Sequence, residues 1–338
     1  MQQTIKRTEL KEALETVKPG LASKEIIEQS TSFAFMGDKV VTYNDKISMS
    51  HPVKGLDITG AVKADEMYQL LSKLKAEEMS LEIGDNEITI KAGKSSAGLM
   101  LAGEITLPLD QIDEIEEMLP IPDGFLEGIR LAVQVCGRDM SMEILTCIEV
   151  AGDKLNSSDN VRLSVVKLAK KMPVETFLLP ADVVPLVLKM KATKIAVTEG
   201  WVHFGNAAGT MLSARIFADN FPDIGRLLKI INAVEIVLPD NLSEIIDRAA
   251  VFSKRDHYLD ERVTIQIEPK KIRIKGESET GWYNEVAKCA YDGEAITFEM
   301  TPFLFKDILG KINVCKYSAE QGLLKFEDKT WQYLAKVL

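Results

Sequence analysis

Residues Ala61–Ile90 read AVKADEMYQLLSKLKAEEMSLEIGDNEITI. Met67, Leu70, Leu71 and Leu74 recur at the spacing of one helical face, Gly84 marks a turn, and Ile88 and Ile90 alternate as in a half-buried strand. The same order returns in Phe177–Asn206, FLLPADVVPLVLKMKATKIAVTEGWVHFGN, with Val183, Leu186, Val187 and Met190 on the helical face, Gly200 at the turn and Phe204 on the strand. It returns again in Glu299–Asp328, EMTPFLFKDILGKINVCKYSAEQGLLKFED, where Phe305, Ile308, Leu309 and Ile312 take the face, Gly322 the turn and Phe326 the strand. Lys73, Lys189 and Lys311 coincide. Each copy has a helix start at Asp65 or Glu66, Asp182, or Thr301-Pro302. Pro185 fits a first turn, where its missing amide would have had no partner. Coincidence of helix phase, turn and strand phase marks an internal repeat.

The other half of each unit recurs too. Leu10, Leu14 and Val17 precede an alternating stretch, Phe33 to Tyr43, broken at Gly37-Asp38. Leu126, Ile129 and Val133 precede Cys147 to Asn156, broken at Gly152-Asp153. Leu242, Ile245, Ile246 and Ala249 precede Val263 to Lys275, broken at Pro269-Lys270. The expected fold is therefore α+β, three tandem domains of two helices packed on antiparallel sheets, spanning 1–105, 106–232 and 233–338. Each is long enough to bury its own core.

The composition, 46% hydrophobic and 27% charged, is that of a globular protein, and no apolar run approaches a bilayer span. Met1-Gln2-Gln3-Thr4 leads straight into a charged helix, so a cytoplasmic protein without a signal peptide is expected. Cys136, Cys147, Cys289 and Cys315 have no close pair, which argues against a disulfide framework or a zinc ribbon. His51, His203 and His257 stand alone, as strand or loop residues rather than bases or ligands. Gly93-Lys94-Ser95 lacks the earlier glycine of a phosphate loop, because Ile88 stands there. The acidic runs Glu77-Glu78 and Asp113 to Glu117 read as solvated surface. No catalytic motif, metal or cofactor is indicated.

The net charge of −10 conceals a division. Six helices expected over 4–18, 65–75, 123–134, 182–194, 240–255 and 302–311 hold 15 Lys and Arg against 12 Asp and Glu, and the remainder is strongly acidic. Helix dipoles favour the same placement of acids and bases, so a mildly basic helical surface is one reading of this asymmetry.

Three blocks sharpen it. Ser158-Asp159-Asn160-Val161-Arg162-Leu163 resembles a Thr-Asp-Gly-His-Arg-Leu turn, Phe221-Pro222-Asp223-Ile224-Gly225-Arg226-Leu227-Leu228 a Phe-Pro-Asp-Tyr-x-Arg-Val-Leu segment, and Asp247-Arg248-Ala249-Ala250-Val251-Phe252-Ser253 an x-Arg-Ala-Ala-Ile-Leu-Ser helix end. These are blocks of the bacterial β sliding clamp, the processivity subunit of DNA polymerase III, and the chain resembles a divergent member of that family, of host or phage origin. Two departures stand out: Asn160-Val161 replaces Gly-His, and Leu334-Ala335-Lys336-Val337-Leu338 replaces a Met-Pro-x-Arg-Leu terminus.

The resemblance implies a homodimer closed head to tail into a ring, with helices lining a hole that holds double-stranded DNA without sequence preference. It implies no catalysis of the chain's own, only service to a DNA-directed DNA polymerase. The implied lining is Lys6, Arg7, Lys11, Lys24, Lys73, Lys75, Lys189, Lys191, Lys194, Lys254, Arg255, Lys306 and Lys311. The implied cleft for short peptides of the polymerase and clamp loader is Ser158, Val161, Arg162, Leu163, Pro222, Arg226, Leu227, Thr301, Leu304, Leu323, Val337 and Leu338. The implied subunit contact sets Val251 and Phe252 against the edge strand carrying Leu99 and Leu101. Two other classes stay open: a repeat scaffold that binds partner peptides without loading on DNA, and an enzyme whose site is assembled between repeats.

Overall fold

The computed structural model describes residues 2–338, which fall into two densely packed units. One comprises Met1–Ile121 and Met172–Ala218, the other Pro122–Lys171 and Asp219–Leu338. The architecture is α+β, with every strand pairing antiparallel within each unit.

In the first unit, helices α1 (Arg7–Val17), α2 (Ala64–Lys73) and α4 (Val184–Met190) accompany two sheets. A four-stranded sheet runs Gln2–Lys6, Glu78–Ile83, Glu87–Ala92, Ser95–Met100. An eight-stranded sheet runs Ile58–Lys63, Ser32–Gly37, Lys39–Tyr43, Ile47–Pro52, Met211–Arg215, Trp201–Gly205, Lys194–Val197, Leu119–Pro120. Its central seam joins distant parts of the chain in the register Leu212↔Met49 and Ser213↔Ser48. Leu10, Ala13, Leu14 and Val17 of α1 and Ala64, Met67 and Leu71 of α2 are the buried faces that the spacing demands. Pro185 sits in the first turn of α4, where a proline costs no hydrogen bond. A long connector is pinned to the sheet by Leu107, which packs with Ala34, Tyr43 and Trp201, and by the Trp201 indole N–H, which donates to the Gln111 carbonyl at 3.0 Å. Asp113, expected as solvated surface, instead accepts the Gly200 N–H at 2.9 Å, a bond that holds its carboxyl below the usual range.

The second unit repeats the plan. Helices α3 (Phe125–Ala132), α5 (Leu242–Ala250) and α6 (Pro302–Phe305) accompany a run of strands Cys147–Ala151, Lys154–Ser158, Arg162–Lys167, Trp331–Lys336, Leu323–Glu327, Val314–Ser318, Val234–Val237. Its seam has the register Ser164↔Tyr333 and Leu163↔Leu334. A four-stranded sheet runs Gly281–Lys288, Lys271–Ser278, Val263–Glu268, Ile296–Met300. The three strand-breaking turns anticipated from sequence all occur. Gly37 (φ 69°), Gly152 (φ 58°) and Lys270 (φ 65°) each supply the left-handed residue that a tight hairpin needs.

The α-helices are shorter than the sequence ranges, and this overturns the charge division. Within their observed bounds they carry Arg7, Lys11, Lys73, Arg130, Lys189 and Arg248 against eight acids. The basic surplus lies beyond the helix ends instead, at Lys18, Lys75, Lys191, Lys254, Arg255 and Lys306, most of them just past a C-terminus, where the helix dipole favours cations.

Candidate functional site

The Ser158–Leu163 turn organises the second unit's main cavity. The Asp159 carboxylate accepts the backbone N–H groups of Val161 (3.2 Å) and Arg162 (3.0 Å), closing a turn in which Asn160 takes φ 72°. Asparagine tolerates that left-handed geometry better than any branched residue. The turn aims Arg162 inward, where the buried guanidinium donates to Asp159 (2.9 Å), to Asp307 (3.2 Å) and to the Gln134 carbonyl (2.7 Å). Its central carbon, Cζ, lies 4.8 Å from the centre of the Phe303 ring.

Above this base opens a cavity of about 500 Å³, lined among others by Val161, Arg162, Met142, Leu145, Tyr258 and Phe303. Its aromatic wall is ordered: His257 stacks on Tyr258 at 4.8 Å, and Tyr258 meets Phe303 edge-on at 4.5 Å. Lys306 lies 4.5 Å from the Phe303 ring, so that this ring has two cations for neighbours. Cys136 also lines the cavity, but burial pushes its thiol far up, so it behaves as an apolar residue rather than a nucleophile. A second hollow of about 450 Å³ adjoins it, walled by Met140 to Leu145, Asn160, Asp219 and Pro222. Met142, Leu145 and Asn160 belong to both, so the two form one groove with an apolar, methionine-rich section and an aromatic section. Such a surface accepts a short segment carrying an aliphatic and an aromatic anchor.

The residues implied by the resemblance divide on this groove. Val161 and Arg162 line the larger hollow and Pro222 the smaller. Leu163, Thr301, Leu304 and Val337 are buried in the fold, and Leu323 is half-buried in a strand. Ser158 is turned onto the Arg162 carbonyl, 2.9 Å away. Arg226 is exposed, as are Leu227 (60%) and Leu338 (72%). Met142, Tyr258 and Phe303 were not anticipated. Each is an ordinary apolar residue in sequence, and only the fold brings them to the Asp159 turn.

Of the thirteen basic candidates, Arg7, Lys11, Lys73 and Lys189 lie within α-helices. Lys24 and Lys75 lie in loops, Lys191 caps α4, Lys194 begins a strand, Lys254 and Arg255 follow α5, and Lys311 follows α6. Several are already engaged: Lys6 with Glu9 (3.1 Å), Arg7 with Glu77 (3.4 Å), Lys254 with Glu261 (3.2 Å), and Lys311 over the Trp331 ring at 5.4 Å. Lys189 lines a cavity of about 570 Å³ in the first unit together with Glu12, Glu15, His51 and Met190.

At one edge of each four-stranded sheet lies a strand paired along one side only, Ser95–Met100 in the first unit and Gly281–Lys288 in the second. Met100 (86%) and Trp282 (67%) stand exposed on these edges, with Val251 (65%) exposed at the end of α5. Phe252 packs under Gly281, where a Cβ would come to 3.0 Å of its ring. Leu99 is half-buried, and Leu101 is turned inward against Gly60, so its side chain is not part of the exposed edge.

No family model matches the chain, and no curated protein matches it in sequence. Solved structures do match. The DNA polymerase sliding clamp from Bacillus subtilis aligns over 100% of this chain and 99% of its own, with a TM-score of 0.86 and 20% identity. A beta sliding clamp from C. crescentus aligns over 100% and 99% with a TM-score of 0.86 and 18% identity. The DNA polymerase III subunit beta from Pseudomonas aeruginosa aligns over 100% of both chains with a TM-score of 0.83 and 16% identity. The chain has the sliding-clamp fold over its whole length.

Proposed function

We propose that the protein is a sliding clamp: a homodimeric ring around duplex DNA that tethers a replicative polymerase and adds no catalysis or cofactor of its own. The observation that carries this reading is the likeness to proteins named DNA polymerase sliding clamps across the full chain rather than one domain. In this reading the three domains are 1–105, 106–232 and 233–338, and the place of action is the cytoplasm. The two bare strand edges pair between subunits, which removes the exposure that edge strands otherwise carry. DNA is held by enclosure, so weak and mobile phosphate contacts suffice, and a strongly basic lining would impede sliding. The groove at the Asp159 turn receives short apolar–aromatic peptides of the polymerase and of the loader that opens the ring.

The test is topological. The particle should have twice the 37.5 kDa chain mass in solution. Loaded on nicked circular DNA, it should survive a high-salt wash and be lost when the circle is linearised. A monomer with no retention on circles would overturn this reading and favour the peptide-binding scaffold. For the groove, a peptide with leucine and phenylalanine anchors should lose at least tenfold in affinity on Phe303→Ala, and unchanged binding would remove the assignment.

A further inference from the structure

Tyr68 of α2 lies against the flank of α1 and has three charged neighbours. Lys18 Nζ is 4.2 Å from the centre of its ring and Lys11 Nζ 5.7 Å, both within cation–π range. The hydroxyl donates to Glu15 Oε1 at 3.0 Å. Lys11, Glu15 and Lys18 follow one another along the same side of α1 and its C-terminal turn, so a single ring reads two turns of helix. Glu15 raises the Tyr68 pKa, which keeps the hydroxyl a donor. The arrangement leaves two ammonium groups against one carboxylate, gathered at one aromatic surface.

Of the other basic side chains of the first unit, Arg215 also lies against a ring, 4.7 Å from the centre of Trp201, but it is paired with Asp45 at 3.3 Å. Lys6 and Arg7 are each matched to a carboxylate. Lys73, Lys189 and Lys191 stand exposed on flexible stems. A lysine loses much rotamer freedom when it grips an anion, and a ring that already holds the ammonium end in place removes part of that loss. Two ammonium groups sharing one ring also repel each other, so a phosphate arriving between them relieves that repulsion.

We propose that Tyr68 is a positioning residue which presents Lys11 and Lys18 as a paired phosphate-binding site, and that its ligand is the backbone of duplex DNA. The proposal rests on the clamp reading and names where, on the first unit, the duplex is gripped. Lys18 is part of this pair although the family resemblance did not single it out.

The experiment measures affinity for a short linear duplex, which needs no loader, across a salt series. Lys11→Gln with Lys18→Gln should make the plot of log affinity against log salt shallower by ~1.8, the value for two phosphates no longer neutralised. Tyr68→Leu keeps both charges, so it should weaken binding about fivefold with little change in slope, the result expected when lysines are present but unplaced. Tyr68→Phe keeps the ring and should bind within twofold of the wild type. Equal affinity for Tyr68→Leu and the wild type, or an unchanged slope in the double lysine variant, overturns the proposal while leaving the clamp reading intact. A wild-type chain that is retained on no DNA of any form overturns both. Melting temperatures of all variants separate these effects from misfolding.

Discussion

Arg162 shows how a residue that looks like a contact in sequence can be a structural member. Its guanidinium joins Asp159, Asp307 and the Gln134 carbonyl in a buried network, so truncation would leave two carboxylates facing each other without their cation. Arg162→Ala should cost about 3–5 kcal/mol in urea unfolding. Replacing Arg162 and Asp307 by apolar residues of similar size together with Asp159→Asn, which keeps an amide oxygen for the backbone N–H groups of Val161 and Arg162, should cost less, because no buried charge is then orphaned. The turn itself was legible: Asp159 followed by a left-handed residue is a local motif, and Asn160 satisfies the same backbone need as a glycine. His203 makes a second prediction. It is buried between Ser213 Oγ (2.8 Å from Nδ1) and Thr198 Oγ1 (3.2 Å from Nε2), and burial pulls its pKa down to about 4, against a weaker opposing pull from Asp113. The unfolded chain therefore takes up a proton near pH 6.5 that the folded chain refuses. Stability contributed by neutral His203 is complete above pH 6.5 and is lost progressively as pH falls to about 4, on the order of 3 kcal/mol in all. Urea midpoints measured across this window should fall for the wild type and fall less steeply for His203→Gln.

Elements were predicted best where periodicity alone decides them. The faces of α1, α2 and α5 and the glycine turns follow from spacing, because a buried stripe and a left-handed turn leave local marks. Helix ends were predicted less well. Among the described residues no α-helix has a side-chain N-cap bond, so Asp65, Asp182 and Asp240 mark the neighbourhood of a start without fixing it, and the basic residues past the C-termini read in sequence as further helix. Packing between elements left almost no sequence signal. Gly276 is one position that can be tested: it lies mid-strand in Lys271–Ser278, and a Cβ there would run into the carbonyl oxygen of Ala249 in α5. The missing side chain is what lets the α5 backbone rest directly on the sheet, with Ile245, Ile246 and Ala249 buried beside it. Gly276→Ala should lower the melting temperature by several degrees, consistent with an overpacking cost of about 1–3 kcal/mol. A Gly103→Ala control at an exposed bend has only the Asp85 carbonyl oxygen near its Cβ, at 3.9 Å, and should be milder.

At the scale of the molecule, fold and groove came apart in what sequence could say. The order of helices and strands is enough for the architecture, since cores of matched volume and pattern tolerate wide substitution. The groove depends on Tyr258 and Phe303 meeting Met142 across more than a hundred residues of chain, which no local pattern encodes. The bare edges are a third case: the strand carrying Leu99 was implied only by the family resemblance, Gly281–Lys288 was not anticipated, and only the sheets place both at an edge. Under the proposed ring, Ser95–Met100 of each subunit pairs with Gly281–Lys288 of the other, so the particle has two identical seams. Met100→Asp or Trp282→Asp then damages both seams at once, placing a charge on an edge that must lose water, and either variant should sediment as a folded monomer. Mixing the two variants gives a different outcome. Pairing the sound edge of one with the sound edge of the other rebuilds a single seam, while the opposite seam carries both charges. The mixture should therefore regain the dimer mass in sedimentation yet slide off circular DNA as readily as off linear DNA. A mixed dimer retained on circles would mean that these edges do not close the ring, because a particle with one open seam cannot hold a duplex by enclosure.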